Sequence, residues 1–343
     1  MFRGAIIGVG KIAQTGHLPA FRDSRISGRA EMIAGVDIDP GSRKLAAERF
    51  PGLRLYADID EMLAKEEIDF IDICTSPASH HRLLEAAVAR GMHILCEKPL
   101  AVSLEESEAA LNLLLCRRQP PLVFMPCHQY RYSALWETMK AFIAGLPPGE
   151  GMFVQFNIFR TGADPGLLSA HEVWRLNEAV SGGGILADTG IHYLYLSLWM
   201  LGLPRAVTAR THRLAARKGN VEDTAAVVLE YENRLVQISL TWGADRRANS
   251  ARVTCPSGSL SYDGKALTRT RGDMSELLPV PDAADKSHYV QLYVALLDEF
   301  LERLKTGRSG GPDLDEAYQS MRLLDACYTS ARSGTTVKLE PAP

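Results

Sequence analysis

Hydrophobic positions along the first 125 residues follow two alternating periods. Short apolar runs at Gly4–Val9, Met32–Val36, Phe70–Cys74, His93–Cys96 and Leu122–Met125 have the length of buried parallel strands. Between them lie helix-length stretches in which Leu83, Leu84, Ala87 and Val88 share one face, and Leu104, Ser107, Leu111, Leu114 and Leu115 another. Asp60 stands ahead of one such stretch, and Ser103 with Glu106 three residues later has capping-box spacing. Alternating strands and helices predict an α/β domain with a doubly wound parallel sheet of the Rossmann kind.

Beyond Met125 the pattern changes. A helix is expected over Ala134–Ala144, stopped by Gly145 and Pro147-Pro148. Strand-like runs follow at Met152–Phe159, Ala206–His212, Thr224–Tyr231, Leu235–Trp242, Ala251–Cys255 and Ser259–Tyr262, several alternating apolar and polar residues as an open, mainly antiparallel sheet does. Two long helices are expected near His288–Lys305 and Asp313–Arg332, and a last short strand at Thr336–Leu339. This second part is α+β. A length of 343 residues at roughly 150 per domain favours two domains, placed at 1–124 and 125–343.

Composition narrows the classes. With 46% hydrophobic and 23% charged residues the chain is an ordinary globular one, not disordered or fibrous. A net charge of −3, without any block of like charges, argues against nucleic acid and anionic membrane as partners. Six scattered cysteines without a C-x-x-C pair fit a reducing compartment. Apolar runs are too short for a signal peptide or a span, so a cytoplasmic protein is expected. The nine histidines form no H-x-x-x-H and join no Cys/Asp cluster at ligand spacing, so no metal is expected.

The first strand runs into Gly8-Val9-Gly10-Lys11-Ile12-Ala13, a G-x-G-x-x-A loop. Glycines permit a tight turn and close approach of a pyrophosphate, and the helix N-terminus that follows supplies N–H donors and a positive dipole end. The second strand ends at Asp37, where a carboxylate would accept from ribose hydroxyls and repel a 2′-phosphate. NAD is therefore favoured as cofactor, with NADP left open by the nearby Arg43. The alternative for Asp37 is a capping role at the Asp39-Pro40 turn.

Two later strands end in Cys74-Thr75-Ser76-Pro77 and Cys96-Glu97-Lys98-Pro99, at the carboxyl edge that faces the ligand in a doubly wound sheet. Lys98 would stand beside the nicotinamide. The Glu-Lys-Pro run, the glycine loop and the later Gly182-Gly183-Gly184-x-x-x-Asp188-x-Gly190-x-His192 resemble the glucose-fructose oxidoreductase/inositol dehydrogenase (Gfo/Idh/MocA) family. Ser76-Pro77 followed by His81 is similar to its Thr-Pro-x-x-x-His element, and Glu222-Asp223-Thr224 to its Glu-Asp-Thr at the sheet edge. The resemblance runs over nearly the whole chain. It implies an NAD(P)-dependent dehydrogenase of sugars, cyclitols or related polyols, with the family's catalytic Lys, Asp and His falling on Lys98, Asp188 and His192. It also implies a homodimer or homotetramer built through the open sheet. Relatives that use bound NAD transiently to cleave glycosidic bonds, and a regulator that only binds NAD and sugar, are the competing functions.

Oxidising a secondary alcohol needs a base for the hydroxyl proton. Asp188 and His192, four apart, share a helical face, so the carboxylate would raise the basicity of the imidazole, making His192 the general base. Lys98 would stabilise the developing alkoxide. Glu97 would hold local structure rather than react, with a contact to the nicotinamide ribose or to Lys98 left open. Where the family often carries an Asp three residues after the His, this chain has Tyr195, a neutral and bulkier candidate for a substrate hydroxyl. Trp174 and Arg175, in the segment Thr161–Asn177, offer an apolar face and five donors to a substrate, or else serve as lid or packing residues, and Tyr130, in Cys127–Arg131, opens the second domain beside the cleft, where a structural linker is the alternative.

Overall fold

The computed structural model describes residues 1–116, 122–167, 173–215, 219–280, 289–307 and 312–340. The chain packs as two units: Met1–Gln129 with Asp164–Trp174 and Tyr289–Tyr318, and Tyr130–Ala163 with Arg175–His288 and Gln319–Pro343. It thus leaves the first unit and returns to it twice, where the sequence suggested one crossing after residue 124.

The first unit is built on β1 (Phe2–Ile7), β2 (Ala30–Val36), β3 (Arg54–Tyr56), β4 (Phe70–Ile73), β5 (His93–Cys96) and β6 (Phe124–Pro126). They form one sheet in the order β3-β2-β1-β4-β5-β6, every pair parallel. β4 is buried at all four positions, as a central parallel strand must be. β3 escapes the sequence reading because its three residues are too few to carry a period. Helix Pro40–Arg49 starts at Asp39, whose carboxylate accepts from Ser42 N–H. Helix Ile59–Lys65 is capped by Asp58, which accepts from the amides of Asp60 and Glu61; Asp60 itself lies inside the first turn. Ser103 Oγ accepts the Glu106 amide at 3.2 Å, one half of the expected capping box. Helix Tyr289–Thr306 belongs to this unit despite its distance along the chain, with Phe300 edge-on to Phe70 at 5.5 Å. The expected start of that helix at His288 lies outside the described residues.

The second unit carries a nine-stranded sheet made of β7 (Met152–Phe159), β8 (Ala206–His212), β9 (Thr224–Glu230), β10 (Arg234–Thr241), β11 (Ala248–Cys255), β12 (Gly258–Tyr262), β13 (Leu267–Arg271), β14 (Met274–Leu278) and β15 (Val337–Lys338). The order is β14-β13-β12-β11-β7-β10-β9-β8-β15, antiparallel throughout except for the parallel pair β7 and β10. β13 and β14 lack an apolar alternation because β14, at the sheet edge, is solvated, with four of its five residues exposed. Alternation along β7 buries Met152, Val154, Phe156 and Ile158 on one face. Helices Ala134–Ala144 and Ile191–Leu201 cover that face: Trp136 meets Phe156 edge-on at 5.6 Å and Tyr193 at 5.9 Å. Among the described residues no helix is long and apolar enough to cross a membrane.

Candidate active site

Because all strands of the first sheet run one way, the residues that follow β1, β2, β4 and β5 lie along a single edge. Strand order reverses there between β1 and β4, the point at which doubly wound sheets bind ligands. Gly8 takes φ +92°, and a Cβ on it would lie 2.9 Å from the Cys74 backbone. A Cβ on Gly10 would meet nothing within 4 Å. The protein's own packing therefore leaves open space above Gly10, at the start of the helix that begins with Lys11 and Ile12, and this suits a diphosphate approaching bare backbone. The Lys11 ammonium is held at 2.7 and 2.9 Å by the carboxylate of Asp164. Ala13 begins a π-type turn, Ala13–His17, and is buried in the apolar cluster of Ile6, Val9, Leu18 and Cys74 beneath the loop.

Asp37 is built into this loop. Its Oδ2 accepts the Val9 amide and its Oδ1 the Asp39 amide, both at 2.9 Å, while Asp39 does the helix capping. Burial holds the Asp37 carboxyl above its ordinary range in spite of these two amides. Each of its oxygens keeps a further lone pair for a ribose hydroxyl. Arg43 donates to the Asp37 carbonyl at 2.6 Å. The donor and acceptor set at this edge fits a dinucleotide.

After β4, Ser76 leads into a short turn, Pro77–Ser79, with Pro77 buried. The next two histidines divide their roles. His80 is buried and its ring nitrogens face the carbonyls of Thr75 (3.2 Å) and Leu100 (3.3 Å), whereas the half-buried His81 pairs with Glu85 at 3.5 Å on its own helix. The ring tied to the strand end is thus His80. After β5, Glu97 Oε2 accepts the Lys98 amide at 3.1 Å, and the Lys98–Pro99 peptide is cis.

In the second unit the three glycines have separate reasons. Gly182 ends helix Glu178–Ser181 in the left-handed region, a Cβ on Gly183 would overlap the Tyr328 hydroxyl, and one on Gly184 would overlap the Glu222 carbonyl. This close approach lets the Glu222 carboxylate accept the amides of Gly184 (2.9 Å) and Leu186 (3.0 Å), as well as the Tyr328 hydroxyl (2.9 Å). Burial raises the Glu222 carboxyl above its usual range. Its two amides open the π-type turn Leu186–Gly190, which holds Asp188 and runs into the helix of His192. Glu222 and Tyr328 were absent from the sequence-based site, although the Glu-Asp-Thr element marked the place. A Gly184→Ala chain should lose on the order of 1–3 kcal/mol of stability through overpacking. Thermal unfolding measures this, and an unchanged midpoint would mean that the Glu222 backbone and the turn separate without cost.

Asp188 Oδ1 accepts from Arg175 Nε at 2.8 Å and its Oδ2 from the Thr189 hydroxyl at 3.2 Å. Arg175, expected at the substrate, is drawn to this carboxylate; Trp174, half-buried, opens the same short turn, Trp174–Leu176, and residues 168–172 of the expected segment lie outside the described ones. His192 is buried, its ring stacked 4.3 Å from that of Tyr130, and its Nδ1 lies 2.9 Å from the Tyr195 hydroxyl. That hydroxyl also accepts the Tyr130 amide at 3.2 Å, and Tyr195 is 0% exposed. Tyr195 therefore braces His192 from behind instead of meeting a substrate hydroxyl, because its ring fills the core side of the helix.

Comparison with known proteins agrees with this architecture. A model described as an oxidoreductase family with an NAD-binding Rossmann fold matches residues 2–122, one for the GFO/IDH/MocA C-terminal domain matches 136–261, and an oxidoreductase-family C-terminal alpha/beta domain matches 264–339. D-apiose dehydrogenase of Rhizobium rhizogenes is 28% identical over 98% of this chain and 97% of its own length. Inositol 2-dehydrogenase 2 of Saccharopolyspora erythraea is 26% identical over 92% of this chain and 89% of its own. The crystal structure of an oxidoreductase from Agrobacterium radiobacter in complex with NAD+, L-tartaric acid and magnesium superimposes with a TM-score of 0.83 at 25% identity, covering 98% of both chains.

Proposed function

Because the chain belongs to the Gfo/Idh/MocA oxidoreductase family and its first domain is an NAD-binding Rossmann domain, we propose that it transfers hydride between nicotinamide and a hydroxyl of a sugar, cyclitol or related polyol. The observation that carries this reading is the shared strand-end edge, where the open backbone at Gly10, the Asp37 carboxylate and Glu97-Lys98 stand together. Gly8, Gly10, Lys11, Ile12 and Ala13 hold the diphosphate, Asp37 the ribose, and Ser76, Pro77, His80, His81 and Glu97 line or brace the nicotinamide end. NAD, when bound, supplies the hydride acceptor. Lys98 donates to the reacting oxygen and stabilises the charge that develops on it. His192 takes the hydroxyl proton, with Tyr195 and the stacked Tyr130 fixing its ring and the Arg175–Asp188 pair setting the field around it.

The test is NADH formation with D-apiose, inositol, D-xylose and glucosides, the substrate classes in the names of its relatives. Product formation from a glycoside without accumulating NADH would replace net oxidation by redox-assisted bond cleavage. Cofactor choice rests on Asp37: NAD should bind more tightly than NADP, and Asp37→Ser should narrow that gap about tenfold while weakening NAD itself, since the Val9 amide loses its acceptor. Fluorescence titration decides it, and parent protein that prefers NADP overturns the assignment.

Assembly and location complete the proposal. Phe153, Phe159 and Leu235 stand exposed on one face of the nine-stranded sheet, with Leu235 directly opposite Phe153. Covering that face in a homodimer or homotetramer removes it from water; light scattering reports the mass. None of the six cysteines, all described, is in a disulfide, in keeping with a cytoplasmic enzyme.

A further inference from the structure

Beneath the strand-end edge of the first unit lies a closed group of charges in which His17 and Asp72 have no part in the reaction scheme. His17, in the turn that follows the glycine loop, and Asp72, in β4, are both 0% exposed, and Glu97 is 6% exposed. His17 Nδ1 lies 2.7 Å from Asp72 Oδ2, and its Nε2 lies 3.1 Å from Glu97 Oε1. The Tyr293 hydroxyl donates to the same Oε1 at 2.7 Å, and the Lys98 amide donates to Oε2 at 3.1 Å. Tyr293 also lays its ring 4.1 Å from the imidazole, and Gly16 makes room for it, since a Cβ there would come within 2.6 Å.

A neutral imidazole has one N–H and serves one carboxylate; two carboxylates at hydrogen-bonding distance call for the imidazolium. The other neighbours leave it that task. Burial pushes the thiols of Cys74, Cys96 and Cys127 and the Tyr293 phenol far up, and pushes His80 down, so all of these stay neutral. With His17 protonated, Asp72, Glu97, His17 and Lys98 sum to zero charge. Burial alone would lower His17, but Asp72 and then Glu97 raise it to about 9. Burial would likewise raise Glu97, and the bond and charge of His17, with Lys98 and Tyr293, hold it below its ordinary range.

We propose that His17 is a positioning residue for the reaction: clamped as a cation between Asp72 and Glu97, it holds the Glu97 carboxylate against the Lys98 peptide and so fixes where Lys98 stands. The proposal rests on the reading of Lys98 as donor to the reacting oxygen. Loss of the His17 proton leaves one N–H for two buried carboxylates and weakens the hold on Glu97 Oε1, which the Tyr293 hydroxyl then keeps without the imidazolium, so the carboxylate sits less firmly against the Lys98 amide. The sign of the pH dependence follows. His17 binds its proton more tightly folded than unfolded, so its contribution is complete below 6.5 and disappears as pH rises through about 9.

The same ring shares two groupings of ligand-type atoms, with Asp72 and Cys74 and with Glu97 and Cys127, each within 4.8 Å. A proton fills that place in this proposal, and one equivalent of zinc in the purified protein, measured by elemental analysis, overturns it.

The decisive experiment is a pH titration of the full-length, isotope-labelled protein by nuclear magnetic resonance, following the His17 ring and the Lys98 amide. Both should move with one midpoint near 9, and in Asp72→Asn both midpoints should fall together by about one unit or more, because one of two carboxylate partners is gone. A Lys98 amide that ignores the His17 titration, or a His17 that titrates at or below its ordinary value, overturns the clamp; the parent protein alone suffices for both. In turnover, kcat should drop about tenfold or more across the same interval with KM for NAD held within about twofold. Asp72→Asn should shift the drop to lower pH, and add nothing in a Lys98→Ala background. Full turnover in Lys98→Ala would refute the role of Lys98 itself, while the two resonances still decide whether His17 holds Glu97 in place.

Discussion

Replacing Lys98 by alanine should lower turnover by about 10²-fold or more while leaving NAD bound, the loss that follows removal of one preorganised donor. The separation of the two effects comes from the sheet. The proposed diphosphate and ribose contacts are Gly8 to Ala13 and Asp37, after β1 and β2, whereas Lys98 follows β5. Steady-state kinetics on an identified sugar or polyol, with a parallel NAD titration, checks both halves. Unchanged turnover removes Lys98 from the reaction; lost NAD binding makes it a cofactor contact instead.

His192→Asn should cost about 10²- to 10⁴-fold in turnover, the range for a positioned acid–base group. Asparagine keeps a polar atom near the Tyr195 hydroxyl but has no proton to exchange. Oxidation by the parent should rise with pH through one ionisation, and that limb should vanish in His192→Asn. Asp188→Asn should move the limb to lower pH, because a nearby negative charge favours the imidazolium. The shift will be smaller than an unpaired carboxylate would give, since Arg175 already lies on Asp188 at 2.8 Å. Tyr195→Phe removes the bond to Nδ1 and should change the same limb without altering KM for NAD. A His192→Asn profile that retains the limb passes the base role to Lys98.

Local rules determined much of this protein from its sequence alone. Runs of strand length separated by helical periods specify the parallel sheet of the first unit, because side-chain period is a property of the backbone itself. The glycine loop, Glu97-Lys98 and the glycines before Asp188 are legible for the same reason: each chemical requirement is met within a few neighbouring residues. What acts on those groups was decided only by packing. Arg175 holds Asp188 across 13 positions, His17 meets Asp72 across 55 and Glu97 across 80, and Tyr293 reaches Glu97 across 196. No period or spacing encodes such pairs, since they depend on which faces come together when the sheet is covered. Tyr195 makes the point most directly. Its residue type suggested a substrate contact, yet the helix turns its ring into the core, where the buried hydroxyl meets the His192 ring and the Tyr130 amide.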